Sequence, residues 1–168
     1  DSYLTGLRAS LRQAPDVILL GEMRDHETIS TAMTAAETGH LILSTLHTIG
    51  AANTIDRVID AFPPGQQQQI RTQLSMVLDA VISQQLIPTL DGGVQPAFEV
   101  MFLNNAIRNM IRESKIHQID GVIATSQGEG MISMDNSIIS LYRKGAISRE
   151  NAIAYSSNSE LMAKKLDR

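Results

Sequence analysis

An acid and an imidazole stand just beyond two short apolar runs in this sequence. Val17-Ile18-Leu19-Leu20 leads into Gly21-Glu22, and Leu41-Ile42-Leu43 leads into Ser44-Thr45, His47 and Thr48. A carboxylate where a buried parallel strand opens into a loop lies at the C-terminal edge, where open α/β sheets bind ligands. There it can orient or deprotonate a water, or hold Mg²⁺ through its hydration shell, as phosphate-ester hydrolysis requires. Taken alone, Glu22 is more simply an acid placed before a helix N-terminus, which favours negative charge. Taken alone, His47 is more often a hydrogen-bonded structural residue, because imidazole satisfies both its nitrogens easily. Two neighbouring strands bringing both sets to one edge favour the chemical reading.

The elements that must position these residues follow from pattern. Leu4, Leu7 and Leu11 recur at helical spacing until Pro15, which cannot continue a helix. Residues 17–20 lack alternation and read as a central strand buried on both faces. Asp25 is a good N-cap for a helix carrying Ile29, Met33 and Ala36, and Gly39 supplies its left-handed stop. Residues 41–43 form a second strand, followed by a helix from Ile49 to Phe62 that ends at Pro63-Pro64. Strand, helix, strand, helix argues for a parallel α/β sheet. Residues 66–85 read as one long helix, 86–89 and 97–103 as a hairpin around Asp91-Gly92-Gly93, and 104–168 as helices capped first by Asn105. The expected division is an α/β part over 1–103 and a helical part over 104–168.

Composition narrows the classes. The chain has 168 residues, 43% hydrophobic, with no cysteine and a net charge of −4. That is the make-up of a globular domain, without a disulfide framework, a thiolate metal site or a Cys nucleophile. No basic footprint for nucleic acid is visible, and 4% aromatics leave no stacking platform for single strands. No apolar run approaches the ~20 residues of a membrane span and no signal peptide is expected; zero cysteines fit a reducing compartment, and the cytoplasm is the default location.

LRQAPDVILLGEMRD, then TAAETGH, then STLHT followed by IDRVIDAFP, resembles the C-terminal half of the PilT-type hexameric secretion ATPases, which power type IV pilus retraction. Residues 106–113, Ala-Ile-Arg-Asn-Met-Ile-Arg-Glu, match that family's AIRNLIRE segment with Met for one Leu, a tolerant exchange. The resemblance implies a partial RecA-like P-loop NTPase sheet followed by a helical appendage. It implies that Glu22, in the Walker B stretch, activates the attacking water and touches Mg²⁺ through water, and that His47, in the histidine box, reads the γ-phosphate. Asp16, Gly21, Glu22, Thr45 and His47 would line the nucleotide site, Asp25 would cap, and Arg24 would make a loop or subunit contact. Arg108, Asn109, Arg112 and Glu113 would couple hydrolysis to motion. Arg108 and Arg112 lie one turn apart and share a face, which is either solvated or a contact to the ATPase core.

The resemblance further implies ATP and Mg²⁺, a homo-hexamer, an inner-membrane platform protein as partner, and a cytoplasmic location at the inner face of the membrane. Gln13-Ala14 departs from the acids usual before Pro15-Asp16. No G-x-x-x-x-G-K-[ST] loop, whose backbone amides cradle phosphates, is present, and none of Lys115, Lys144, Lys164 and Lys165 follows a glycine. The chain is therefore expected to be a fragment, inactive alone. The alternatives are an assembly or type II secretion ATPase, which usually carries a four-cysteine zinc insertion and lacks the 106–113 segment, or a non-catalytic oligomerisation or interaction module. With no P-loop strand, the edge of residues 41–45 is expected to be covered, either by 86–89 moving in beside it or by a second chain.

Overall fold

The computed structural model describes residues 3–167. In chain order the elements are α1 (Tyr3–Ser10), β1 (Val17–Leu20), α2 (His26–Glu37), β2 (Leu41–Ser44), α3 (Ala51–Asp60), α4 (Pro64–Val77), β3 (Ala80–Pro88) and β4 (Val94–Phe102). Five helices follow among the described residues: α5 (Asn105–Arg112), α6 (Ile119–Thr125), α7 (Met134–Arg143), α8 (Arg149–Ala154) and α9 (Ser159–Leu166). Two compact units result. One takes the chain up to Thr48, Asn53–Asp79 and Asn105–Ile116; the other takes Ile49–Ala52, Ala80–Asn104 and His117 onward. These units do not follow a single cut at residue 103: the hairpin groups with the late helices, and α5 with the α/β elements.

The first unit is built around β1 and β2, paired in parallel with Val17 beside Leu41 and Leu20 beside Ser44. Parallel neighbours need a crossover, and α2 is that crossover. Its start is set by Asp25, whose side chain accepts from Thr28 N at 2.8 Å, and its stop by Gly39 at φ +96°. Ile18 and Leu20 pack with Leu7 of α1 and Ala32 of α2. Here the expectation of strands buried on both faces fails. Val17 is 53% and Leu19 76% exposed, and Leu41 and Leu43 are 49% exposed each. The sheet has two strands and helices pack on the Ile18/Leu20 side, so among the described residues the opposite side is an exposed apolar strip.

A second correction concerns residues 66–85. The helix stops at Val77, Leu78 turns extended, and β3 begins at Ala80. Val81, Ser83 and Ile87 point inward while Ile82, Gln84 and Leu86 do not. This period of two is a strand pattern that the adjacent apolar pair at 81–82 disguised as helix. The β4 partner decides the matter, since strand preference is mostly cross-strand packing. β3 and β4 form an antiparallel hairpin, with Leu86 opposite Pro96 and Pro88 opposite Val94. Residues 86–89 therefore do not join β2, whose only strand partner among the described residues is β1. The tight turn at Asp91-Gly92-Gly93, closed by Thr89 N to Gly93 O at 2.9 Å, makes local pairing far cheaper in loop entropy than a distant one.

In the second unit, Ile87 and Ala97 of the hairpin pack with Ile138, Ile147, Ala152 and Met162 from α7, the following turn, α8 and α9. Each of these three helices starts at a side-chain cap: Ser133 accepts from Asn136 N, Ser148 from Asn151 N, and Asn158 from Leu161 N.

Candidate active site

Beyond their paired residues, β1 and β2 stay tied together. Thr45 Oγ1 donates to Gly21 O at 2.5 Å, and Met23 N donates to Thr45 O at 3.2 Å. These bonds prolong the register into the two loops, so the residues after each strand are held side by side. Glu22 and His47 are thereby brought together: His47 Nε2 lies 3.2 Å from Glu22 Oε2. Arg24 takes the other oxygen, Oε1. Glu22 and Arg24 stand two residues apart, a pairing open to the sequence but read there only as a loop or subunit contact.

The Glu22 side chain is 14% exposed and that of His47 is 91% exposed. The hydrogen bond from Arg24 holds the Glu22 carboxyl below its ordinary range; partial burial opposes this, and the His47 contact adds to the lowering. An ionised carboxylate can only accept, so Nε2 carries the proton in this contact and Nδ1 remains as the ring's second polar atom. Asp25, beside them, is also held low, first by the Thr28 backbone amide that it caps. The two acids thus have separate tasks: Asp25 is committed to the helix, and Glu22 keeps its face toward the strand ends.

Asp16 is placed elsewhere. It precedes β1, its carbonyl accepting from Leu41 N at 3.0 Å, and the four-residue strand that lies between it and Glu22 spans ~13 Å at ~3.3 Å per residue. Gly21 and Thr45 do reach the site, as the pair that cross-links the loops. Arg108 and Arg112 are half-buried rather than fully solvated. Arg108 Nη1 donates to Ser75 O at 2.6 Å and to Met76 O at 3.2 Å, two carbonyls of the last turn of α4, and Arg112 Nη1 donates to Ser75 Oγ at 3.3 Å. Asn109 accepts from Arg112, while Glu113 pairs with Lys115 at 2.6 Å and is held below its ordinary range by it.

A hollow of about 230 Å³ opens beside the loop, lined by Arg24, Asp25, His26, Leu46 and Arg57 among others. It is below the ~300–1,000 Å³ of an enclosing ligand pocket, so the arrangement offers groups at an open edge. No cluster of three or more His, Cys, Asp or Glu occurs among the described residues. One carboxylate at the edge fits Mg²⁺, which keeps its waters and is held by one or two carboxylates plus phosphate oxygens. It does not fit a metal cage made of protein alone.

A parallel β-α-β unit presents ligand-binding groups at the carboxyl ends of its strands, and here those groups are an acid and an imidazole. Solved structures agree: the chain superposes on the pilus retraction motor PilT with bound ADP at a TM-score of 0.86 and 44% identity, covering 96% of this chain and 45% of that one. The ATPase DotB of Legionella pneumophila follows at 0.78 and 28% identity, covering 90% of this chain and 41% of that one. The chain belongs to the type II/IV secretion system protein family, whose model matches residues 2–156. It is 52% identical over 163 residues to a twitching motility protein of Neisseria gonorrhoeae, covering 96% of this chain and 44% of that protein. To the type IV pilus retraction ATPase PilT of Pseudomonas aeruginosa it is 53% identical over 150 residues, 89% of this chain and 44% of that one. The chain thus spans less than half the length of these relatives. No helix among the described residues is long and apolar enough to cross a membrane.

Proposed function

We propose that this chain is the water-activating part of an ATPase that works as a homo-hexamer at the cytoplasmic face of the inner membrane, retracting type IV pili against a platform protein. The observation that carries this is the Glu22–His47 contact at the ends of two parallel strands, within a chain resembling the pilus retraction motor PilT along nearly all its length. Similarity to the type II secretion system protein E of Klebsiella pneumoniae covers only 53% of the chain, which favours retraction over secretion. The lack of cysteines supports the same choice.

Glu22, kept ionised by Arg24, accepts a hydrogen bond from the attacking water and orients it, and Oε2 is the atom that takes the proton as the water attacks. His47, donating from Nε2 and largely exposed, reaches the γ-phosphate and reports it to the same carboxylate. Glu22 would hold Mg²⁺ through its water shell, and the ion would supply positive charge against the phosphates. Asp25 fixes α2 behind the loop. Motion is coupled through α2, α4 and α5: Gln73 of α4 donates to Glu37 of α2 at 2.8 Å, and Arg108 and Arg112 bind the end of α4. Asp16 supports the strand pairing from its far end.

The test is complementation. A full-length protein containing this chain and an upstream P-loop should hydrolyse ATP with Mg²⁺ and restore twitching to a retraction-deficient strain. Restored type II secretion without twitching would refute retraction. The 168-residue chain alone should show no tight ATP binding by calorimetry, since it has no phosphate cradle.

A further inference from the structure

His47 sits in a short stretch that threonine hydroxyls hold on both sides. Two residues before it, Thr45 donates to Gly21 O and fastens the loop to the neighbouring strand end. One residue after it, the Thr48 hydroxyl meets that of Thr54 at 2.8 Å in a partly buried position. Thr54 lies on α3, so this second hold fastens the loop to a helix. Gly21, Glu22, Thr45, His47, Thr48 and Thr54 all belong to the first unit.

The helix is itself well anchored. Ile55, Val58 and Ile59, which follow Thr54 along α3, are buried. Phe62, just past its end, meets the His26 ring of α2 edge-on with centroids 6.2 Å apart. Threonine suits the link, because its branched Cβ restricts χ1 and leaves the hydroxyl little room to wander. The His47 side chain, by contrast, is 91% exposed. Packing does not fix the imidazole, so its place depends on the backbone beneath it. We propose that Thr54, acting through Thr48, is a positioning residue for His47. The hydroxyl pair keeps the loop backbone still, and the imidazole passes between Glu22 and a phosphate by side-chain rotation alone. The inference rests on Glu22 and His47 acting as the catalytic pair.

The test uses the full-length protein and compares Thr54→Val, Thr54→Ser, Thr48→Val, the double variant of Thr48→Val with Thr54→Val, Thr34→Val and Glu22→Gln. Valine keeps the shape of threonine and removes the hydroxyl. Turnover in Thr54→Val should fall about 10-fold, within the ~10²-fold that a ~1 Å misplacement can cost, with the Kd of a fluorescent ATP analogue within about twofold of the parent. The imidazole NMR signals of His47 should shift or broaden. Thr54→Ser keeps the hydroxyl and should restore most of the turnover. The two threonines form one link, so the double variant should be no slower than the slower single one. Thr34 donates to Ser30 O within α2, so Thr34→Val loses a hydroxyl with no tie to the loop and should keep parent turnover. A merely structural pair would lower the melting temperature yet leave turnover and the His47 signals unchanged well below it, and that result overturns the proposal. So does a loss in Thr48→Val that Thr54→Val does not share, which would make Thr48 a direct phosphate contact, and so do losses that multiply in the double variant. Should Thr54→Val not fold, Thr48→Val breaks the same bond, and parent turnover with unmoved His47 signals in it decides against the proposal. If the threonine variants behave normally while Glu22→Gln is inactive, positioning alone is wrong; if Glu22→Gln still hydrolyses ATP, the catalytic reading falls and this inference with it.

Discussion

His47 Nε2 and Arg24 hold the two oxygens of Glu22 separately, the imidazole at Oε2 at 3.2 Å and the guanidinium at Oε1. The two partners differ in permanence. Arg24 stays charged at every accessible pH, whereas His47 is a largely exposed imidazole that can leave for another acceptor. The acid therefore has one fixed tether and one exchangeable one, which suits a group that must hold its charge yet change partner when a phosphate arrives.

The fixed tether predicts a titration. Arg24 is the largest influence on Glu22, whose ordinary value is 4.5, and it lowers it. A carboxyl lowered on folding contributes stability above its unfolded value, and that contribution is lost as pH falls through the folded one. Carboxyl carbon NMR should place the Glu22 midpoint below 4.5, and Arg24→Ala should raise it. An unmoved midpoint would show that Arg24 does not act on the acid.

Asp25 predicts a pH-dependent cap. Asp25→Ala should lose about 1 kcal/mol in urea unfolding at neutral pH, the usual worth of an N-cap. Because the Thr28 amide lowers the Asp25 carboxyl from 3.8, the difference between parent and variant should be complete above that pH and shrink below it. A difference that does not change with pH would mean that the charge is irrelevant to the cap.

Arg108→Ala should destabilise the chain by about 1–3 kcal/mol, because the Ser75 carbonyl belongs to a fully buried residue and loses its donor. Arg108→Lys should restore only part, since one ammonium cannot reproduce the fork across Ser75 O and Met76 O. In the full-length protein, Arg108→Ala and Arg112→Ala should spare ATP binding and hexamer formation while impairing twitching. Normal twitching in both would reduce α5 to a structural helix.

Adjacent leucines in β1 predict opposite outcomes. Leu20 is 4% exposed and Leu19 76% exposed. Leu20→Ala should cost about 2–5 kcal/mol and Leu19→Ala less than about 0.5 kcal/mol in the 168-residue chain. Comparable losses, measured by denaturant unfolding, would show that the strip of Val17, Leu19, Leu41 and Leu43 is covered.

Much of this was legible in the sequence because it is local. Asp25 and Gly39 mark the ends of α2 by cap chemistry, and the runs at 17–20 and 41–43 mark parallel strands by composition. Glu22 and His47 share an edge because two strand-to-helix units repeat. What stayed hidden depends on partners far along the chain. Val81 and Ile82 fit a helix until β4 lies beside them. Arg108 looks like a solvated cation until the end of α4 presents its carbonyls. Glu99 looks like any strand acid, and only the arrival of the Ala51 and Met134 amides at its two oxygens makes it an internal cap. The exposure of Leu19 was hidden for a different reason: composition reports that a strand suits burial, not that both of its faces are covered.

The most direct test of the account is single-turnover ATP hydrolysis by the full-length protein carrying Glu22→Gln. Glutamine keeps the shape and can still meet His47, but it cannot take a proton from water. ATP binding should persist while hydrolysis slows by at least ~10²-fold, the scale of lost general-base assistance. Near-normal hydrolysis in that variant would contradict the central claim and leave Glu22 as a structural partner of Arg24.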